Sequence, residues 1–171
     1  MGILFFNFKG VIFLKIRYDF VTNSSSSSFV IYFENKSDME THRKRLLNRF
    51  APYIVKKIFE DIEKKKVTYS DVKMWVKHEI ENGYKSKFYS ESKHDMQSPL
   101  YGKPYSWFSS KEFKDMIKEN VEKDLEDFLY GLNHRGIFSI VEYFDSSDIG
   151  EFIEQTVLPN QEFVLEMRSN H

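Results

Sequence analysis

A run of consecutive serines leads without a break into an apolar stretch, residues 29–33. An apolar run of this length, built from β-branched and aromatic residues, is typical of a strand that is covered on both faces. The polar segment before it, residues 22–28, therefore has to lie beside the core. We expect it to connect a strand over 16–21 to a strand over 28–33, and to be exposed at a sheet edge.

This polar segment is also a candidate binding element, and its residues are Thr22, Asn23, Ser24, Ser25, Ser26, Ser27 and Ser28. Small hydroxyl side chains donate and accept hydrogen bonds and leave backbone amides accessible, so such a loop can hold a phosphate or sulfate. The glycines and lysine of a P-loop are missing. Two alternatives stay open: a substrate of a serine-modifying enzyme, and a polar connection whose hydroxyls satisfy turn backbone groups.

Residues 15–31 read KIRYDFVTNSSSSSFVI. This segment resembles the opening of a group of uncharacterised proteins from Gram-positive bacteria and their phages, which begin M-K-I-x-x-D-F-V-T-N-S-S-S-S-S-F. A weaker similarity lies at residues 141–151, where an apolar run leads into an acidic turn and a glutamate. The resemblance implies a bacterial or phage-related origin and no particular activity.

The similarity to that group begins at Leu14, after thirteen further residues. Lys9, Gly10 and Val11 can be encoded by a ribosome-binding sequence at a suitable distance upstream of Leu14. We therefore expect translation to start at Leu14, which would leave residues 1–13 outside the native protein. The alternative is that residues 1–13 add an extra strand.

Composition narrows the class of protein. A chain of 171 residues is long enough for one domain with a substantial core. Cysteine is absent, which excludes a disulfide framework, a thiolate metal site and a cysteine nucleophile, and is compatible with the cytoplasm. The net charge of −1 excludes a polycation that acts through its total charge. We expect a single cytoplasmic domain over residues 14–171, without a membrane partner.

Apolar periodicity outlines the fold. Helical spacing predicts helices that begin near Ser37, Pro52, Ser70 and Ser110. A strand over 137–144, a short helix and a strand over 163–167 follow, in the order of a βαβ unit. The sequence thus predicts an α/β or α+β fold, with a sheet of three or four strands, at least partly parallel, and about five helices.

Residues 84–109 lack helical periodicity and are expected to form a long loop in which lysines alternate with aromatic residues. Aromatic rings that stack on bases beside lysines that contact phosphates are typical of single-stranded nucleic-acid binding. Exposed tyrosine and tryptophan also anchor protein interfaces, and the rings could instead cover the core. The candidate binding residues here are Lys103, Tyr105 and Trp107.

Acidic residues cluster after the strand over 137–144, at Asp145, Asp148 and Glu151. Carboxylates at a strand end can hold Mg²⁺, with Asp145 and Asp148 as ligands, or act as general acid and base. Their ordinary role would be to cap a helix and to favour its first turn.

The segments around these candidates carry opposite charge: residues 36–66 hold ten Lys/Arg and five Asp/Glu, whereas residues 137–171 hold seven Asp/Glu and one Arg. We expect a binding or accessory protein that acts by contacts through the serine segment and the aromatic–lysine segment, with a protein or single-stranded nucleic acid as partner. The alternatives are a metal-dependent enzyme acting on a phosphate-containing substrate, with Mg²⁺ as cofactor, and a substrate of a serine-modifying enzyme.

Overall fold

The computed structural model describes residues 26–144 and 148–170. Several expectations lie outside these residues. They are the start at Leu14, the strand over 16–21, the binding roles of residues 22–25 and the metal-ligand role of Asp145.

The described chain contains four strands and five α-helices. Their order is β1 (Ser26–Phe33), α1 (Lys36–Leu47), α2 (Pro52–Lys64), β2 (Lys66–Val67), α3 (Tyr69–His94), α4 (Lys111–Leu129), β3 (Ile137–Phe144), α5 (Asp148–Phe152) and β4 (Val164–Asn170). A 3-10 helix, Tyr105–Ser109, precedes α4, and a π-helical turn, Ile153–Val157, follows α5. None of the helices in this part of the chain is long and apolar enough to cross a membrane.

The sheet has the strand order β2-β3-β1-β4, and all neighbouring strands are antiparallel. The prediction of a partly parallel sheet is therefore wrong. β3 and β4 do run in the same direction, but β1 lies between them and pairs with both, so the βαβ unit is split. The physical reason is the apolar run of β1, because an apolar strand is buried most completely when other strands pair with it on both sides.

One face of the sheet forms the main core. Phe29, Ile31 and Phe33 of β1 are fully buried on this face, and α2 lays an apolar stripe against them. The stripe consists of Ile54, Val55, Ile58, Phe59 and Ile62. Each of these large side chains contributes roughly 1.5–3 kcal/mol of transfer free energy when fully buried, so this layer fixes where α2 lies.

The chain divides into two compact units. Unit 1 contains the sheet and consists of residues up to 72 and from 131 onward; unit 2 is the continuous segment Lys73–Tyr130. Unit 2 holds most of α3, the 3-10 helix and α4. Its centre is aromatic, with Phe113 in edge contact with Phe88 at 6.1 Å and with Phe108 at 5.1 Å between ring centroids.

α3 continues to His94, so residues 84–94 are helical and not part of a loop as predicted. The stretch has weak helical periodicity, but its aromatic side chains pack within unit 2. Tyr84 and Phe88 lie 5.7 Å apart on one face of α3, and the Tyr84 hydroxyl donates to Asp124 at 2.8 Å. Tertiary packing of this kind stabilises helices that propensity alone would not.

The starts of α1 and α4 are each fixed by a capping side chain directly before the helix. α1 is capped by Asn35, whose side chain accepts from the Asp38 amide at 3.1 Å, so the helix begins at Lys36, one residue before Ser37. α4 is capped by Ser110, whose hydroxyl accepts from the Phe113 amide at 3.2 Å. Such caps satisfy amides at the first helical turn that have no partner within the helix.

Candidate binding surface

The serine segment contributes to the centre of the sheet. Ser26, Ser27 and Ser28 belong to β1, which is an inner strand, and Ser27 is buried with 1% of its surface exposed. Its hydroxyl donates a hydrogen bond of 2.5 Å to Oε1 of Glu154, which is itself buried. The expected exposure is therefore absent at Ser27, and this residue has a structural role.

Glu154 reaches Ser27 from the π-helical turn Ile153–Val157 that follows α5. A π-helical turn holds one extra residue, which shifts the side chains that follow it. Such turns are frequent at functional sites. Hydroxyl-to-carboxylate hydrogen bonds are short and about twice as strong as neutral ones. The hydrogen bond between Ser27 and Glu154 therefore connects the start of β1 to the segment that leads into β4.

The acidic candidates separate in the structure. Asp148 lines a cleft of unit 1 together with Glu142, whereas Glu151 accepts a hydrogen bond from Gln155 at 3.3 Å. Across residues 26–144 and 148–170, no three His, Asp or Glu side chains come together as a metal site would require. The Mg²⁺ site and the catalytic roles stay predictions.

The aromatic–lysine segment forms a groove in unit 2, which we call the aromatic–lysine groove. Its volume is about 490 Å³, and it lies between α3, the 3-10 helix and the first turn of α4. Its lining residues are Lys85, Ser86, Tyr89, Tyr105, Phe108, Ser109 and Lys114. The groove thus combines three aromatic rings, two ammonium groups and two serine hydroxyls, with no carboxylate.

Helical geometry sets one wall of the groove. Lys85 and Tyr89 are four residues apart on α3 and so lie on the same face. Tyr89 makes edge contacts with Tyr105 at 5.7 Å and with Phe108 at 5.6 Å. Phe108 is buried, whereas 73% of the Tyr105 surface is exposed. The edge contact with Tyr89 therefore holds the Tyr105 ring in place, while most of its surface stays open to a ligand.

The two other predicted binding residues of this segment contact each other. The Lys103 ammonium lies 4.8 Å from the centroid of the Trp107 ring, and the Trp107 indole N–H donates to Glu112 at 3.0 Å. A ring face that carries a cation is not available for stacking on a base. Of Lys103, Tyr105 and Trp107, only Tyr105 lines the groove.

The lysines of the groove are available to a ligand. Neither Lys85 nor Lys114 forms an ion pair with any residue that the structure describes. An ammonium group that is already paired loses much of its attraction for an added anion, so unpaired lysines beside a ring suit a ligand with both negative charge and an aromatic part.

The predicted site contained one groove residue, Tyr105, and omitted the other six, among them Lys85, Tyr89 and Lys114. Their signal was the four-residue spacing of Lys85 and Tyr89, which becomes visible only once α3 is extended past residue 83. Lys114 lies in the first turn of α4, one turn after the helix cap Ser110.

No protein-family model, curated protein or solved structure matches this chain.

Proposed function

We propose that this protein is a binding protein whose aromatic–lysine groove takes single-stranded nucleic acid. The observation that supports this most directly is the placement of the exposed Tyr105 ring beside two unpaired lysines in a groove without carboxylates. The function is binding, and no turnover is needed to explain these residues.

The chemistry of the groove matches a nucleotide in two respects. A base presents a flat aromatic face, and Tyr105 and Tyr89 offer rings on which it can stack, at roughly 1–3 kcal/mol per base. The phosphate next to that base needs cations and hydrogen-bond donors. Lys85 and Lys114 supply the charge, and the hydroxyls of Ser86 and Ser109 supply donors.

A single strand fits better than a duplex or a protein surface. In a duplex the base faces are stacked on one another and cannot reach a tyrosine ring. Protein interfaces are depleted in lysine at their centres, whereas two of the seven residues that line this groove are lysines.

The test is fluorescence anisotropy with a labelled oligothymidine of 12 nucleotides and the full chain. Tyr105→Ala is expected to weaken binding by roughly 5- to 150-fold, which corresponds to the loss of one stacked base. Tyr130→Ala is the matched control, because Tyr130 is equally exposed, at 75%, and lies outside the groove. Absence of binding by the wild-type protein, or equal losses in the two variants, contradicts the proposal.

A further inference from the structure

Unit 1 contains a second concave site, which we call the edge cleft. Its volume is about 930 Å³, and it is bordered by the exposed flank of α2, the outer side of β3 and the beginning of α5. β2 is only two residues long and pairs with Phe138 and Ser139. Past β2, the outer edge of β3 has no strand beside it among the described residues.

The backbone of Glu142 is directed toward this open edge. The Ile140 amide donates to the Lys65 carbonyl at 3.3 Å, on the β2 side of the strand. Peptide groups two residues apart in a strand point to the same side, so the N–H and C=O of Glu142 point away from β1 as well. Neither has a hydrogen-bond partner in the described chain, and unpaired edge groups of this kind are a template for an added strand.

A buried side chain in the same cleft also lacks a partner. The Tyr143 hydroxyl is buried and makes no hydrogen bond among the residues that the structure describes. Burial raises the pKa of Tyr143 far above its usual range, and the Asp61 carboxylate beside it adds to this, so the hydroxyl stays protonated. Asp61 is held by Lys57, with N–O distances of 2.6 and 2.8 Å. The Tyr143 hydroxyl is therefore an enclosed, protonated group beside Asp61 and is not exposed to a ligand.

The rest of the cleft is amphipathic. Of the apolar lining residues Val141, Ile149 and Ile153, only Ile149 is exposed, at 44%. The end of α2 provides Lys64 and Lys65, which form no ion pair within the described residues. Carboxylates also line the cleft, at Glu60, Asp61, Glu142 and Asp148. A polyphosphate backbone would meet these carboxylates, so nucleic acid does not fit here.

From this combination we infer that the edge cleft binds an extended peptide segment that carries an acidic side chain and adds as a strand along the outer edge of β3. A peptide unit supplies both the acceptor and the donor that the Glu142 backbone needs. An apolar side chain of the segment covers Ile149, and the acidic side chain pairs with Lys64 or Lys65. This inference does not depend on the proposed function of unit 2.

The test starts from a displayed library of random eight-residue peptides, selected on the immobilised full-length protein, followed by titration of the selected peptides in solution. Enriched sequences are expected to alternate apolar residues with an acidic one. Glu142→Pro removes the edge amide and is expected to weaken their binding by about tenfold or more, as loss of one hydrogen bond worth about 1.4 kcal/mol would. Glu142→Ala, which keeps the amide and removes a carboxylate from the cleft, is the matched control and should bind at least as tightly as the wild type.

Two further measurements cover a variant that fails to fold and show whether the two binding sites are separate. If Glu142→Pro does not fold, as judged by circular dichroism, the amide chemical shift of Glu142 in the wild-type protein replaces it, and this shift must move when peptide is added. Tyr105→Ala must leave peptide affinity unchanged, which separates this site from the groove of unit 2. The inference is overturned if no peptide is enriched, or if the selected peptides bind Glu142→Pro as tightly as Glu142→Ala.

Discussion

The hydroxyl of Ser27 and the carboxylate of Glu154 lie 2.5 Å apart, although 127 positions separate the two residues in the sequence. The bond joins the central strand to the π-helical turn before β4. Both residues are buried, so water cannot replace either partner if the other is removed.

We therefore expect Ser27→Ala to lower the free energy of unfolding by roughly 1–3 kcal/mol, because a buried carboxylate oxygen loses its donor. Urea denaturation monitored by circular dichroism measures the effect. Ser28→Ala is the control, since Ser28 comes from the same serine run and lies half-buried on the opposite face of β1. A change within roughly 0.5 kcal/mol is typical of a substitution away from such features and is expected for this control. Equal effects of the two substitutions would contradict a special role of the bond to Glu154.

A methyl group at Gly136 is expected to destabilise unit 1. A Cβ there would overlap the ring of Tyr32 and lie 2.9 Å from the Phe33 carbonyl oxygen. The ring cannot move freely, because it packs on Phe138 and its hydroxyl accepts from the Asn133 amide at 3.2 Å. Gly136→Ala should cost roughly 1–3 kcal/mol of stability, the usual range for overpacking. Thermal unfolding measures this. In a Tyr32→Ala background, the additional cost of Gly136→Ala should be smaller but not zero, because the overlap with the Phe33 backbone remains.

The pH dependence of stability is expected to depend on His42. This imidazole is half-buried between the rings of Phe33 and Phe163, at 5.9 and 5.2 Å. Burial lowers its pKa below the model-compound value of 6.5, against the attraction of Asp38. The unfolded chain therefore binds a proton more readily than the folded one. The stabilising contribution is complete above pH 6.5 and is lost as the pH falls below that value.

The measurement is the urea midpoint at pH 7.5 and at pH 5.5. The wild type should be less stable at the lower pH, and His42→Phe should lose less on acidification because the ring no longer takes up a proton. His78→Gln serves as control, since His78 is exposed and contacts Asn82 within one turn of α3. A pH response in His42→Phe as large as that of the wild type would refute the assignment to His42.

Salt dependence gives an independent prediction for the aromatic–lysine groove. Removing the two ammonium groups in Lys85→Ala/Lys114→Ala should flatten the slope of log affinity against log salt by ~1.4, since each phosphate contact on a single strand contributes about 0.7. The measurement is a series of oligothymidine titrations at NaCl concentrations from about 50 to about 300 mM. Lys73→Ala/Lys123→Ala removes the same charge from unit 2 outside the groove, and it should leave the slope nearly unchanged.

Much of the secondary structure was predictable because strong local signals coincide with it. β3 has the predicted bounds, 137–144, α2 begins at Pro52, and α4 ends at Leu129 where its apolar face ends. Strand direction was not predictable in the same way. The order strand, helix, strand is compatible with a parallel pair and also with a split unit, and only the position of β1 decides between them.

The candidate site was predictable in composition and not in geometry. Residues 84–109 contain the three rings of the groove and one of its two lysines, Lys85, but their spacing was interpreted as a loop. Helix α3 brings Lys85 and Tyr89 together, and Trp107 turns its ring toward Lys103 instead of a ligand. The serine run has no periodicity that reveals which hydroxyl is buried. That follows from the register of β1, in which Ser27 lies on the same face as Phe29.

The strand order has a consequence for synthesis on the ribosome. β1 is made early, yet both of its partners, β3 and β4, come from the last third of the chain. A nascent chain halted after Leu129 therefore carries its most apolar strand with neither neighbour, although all residues of α1 to α4 have been made. Until β3 and β4 have been made, Phe29, Ile31 and Phe33 need shielding, by the helices that precede these strands or by a chaperone.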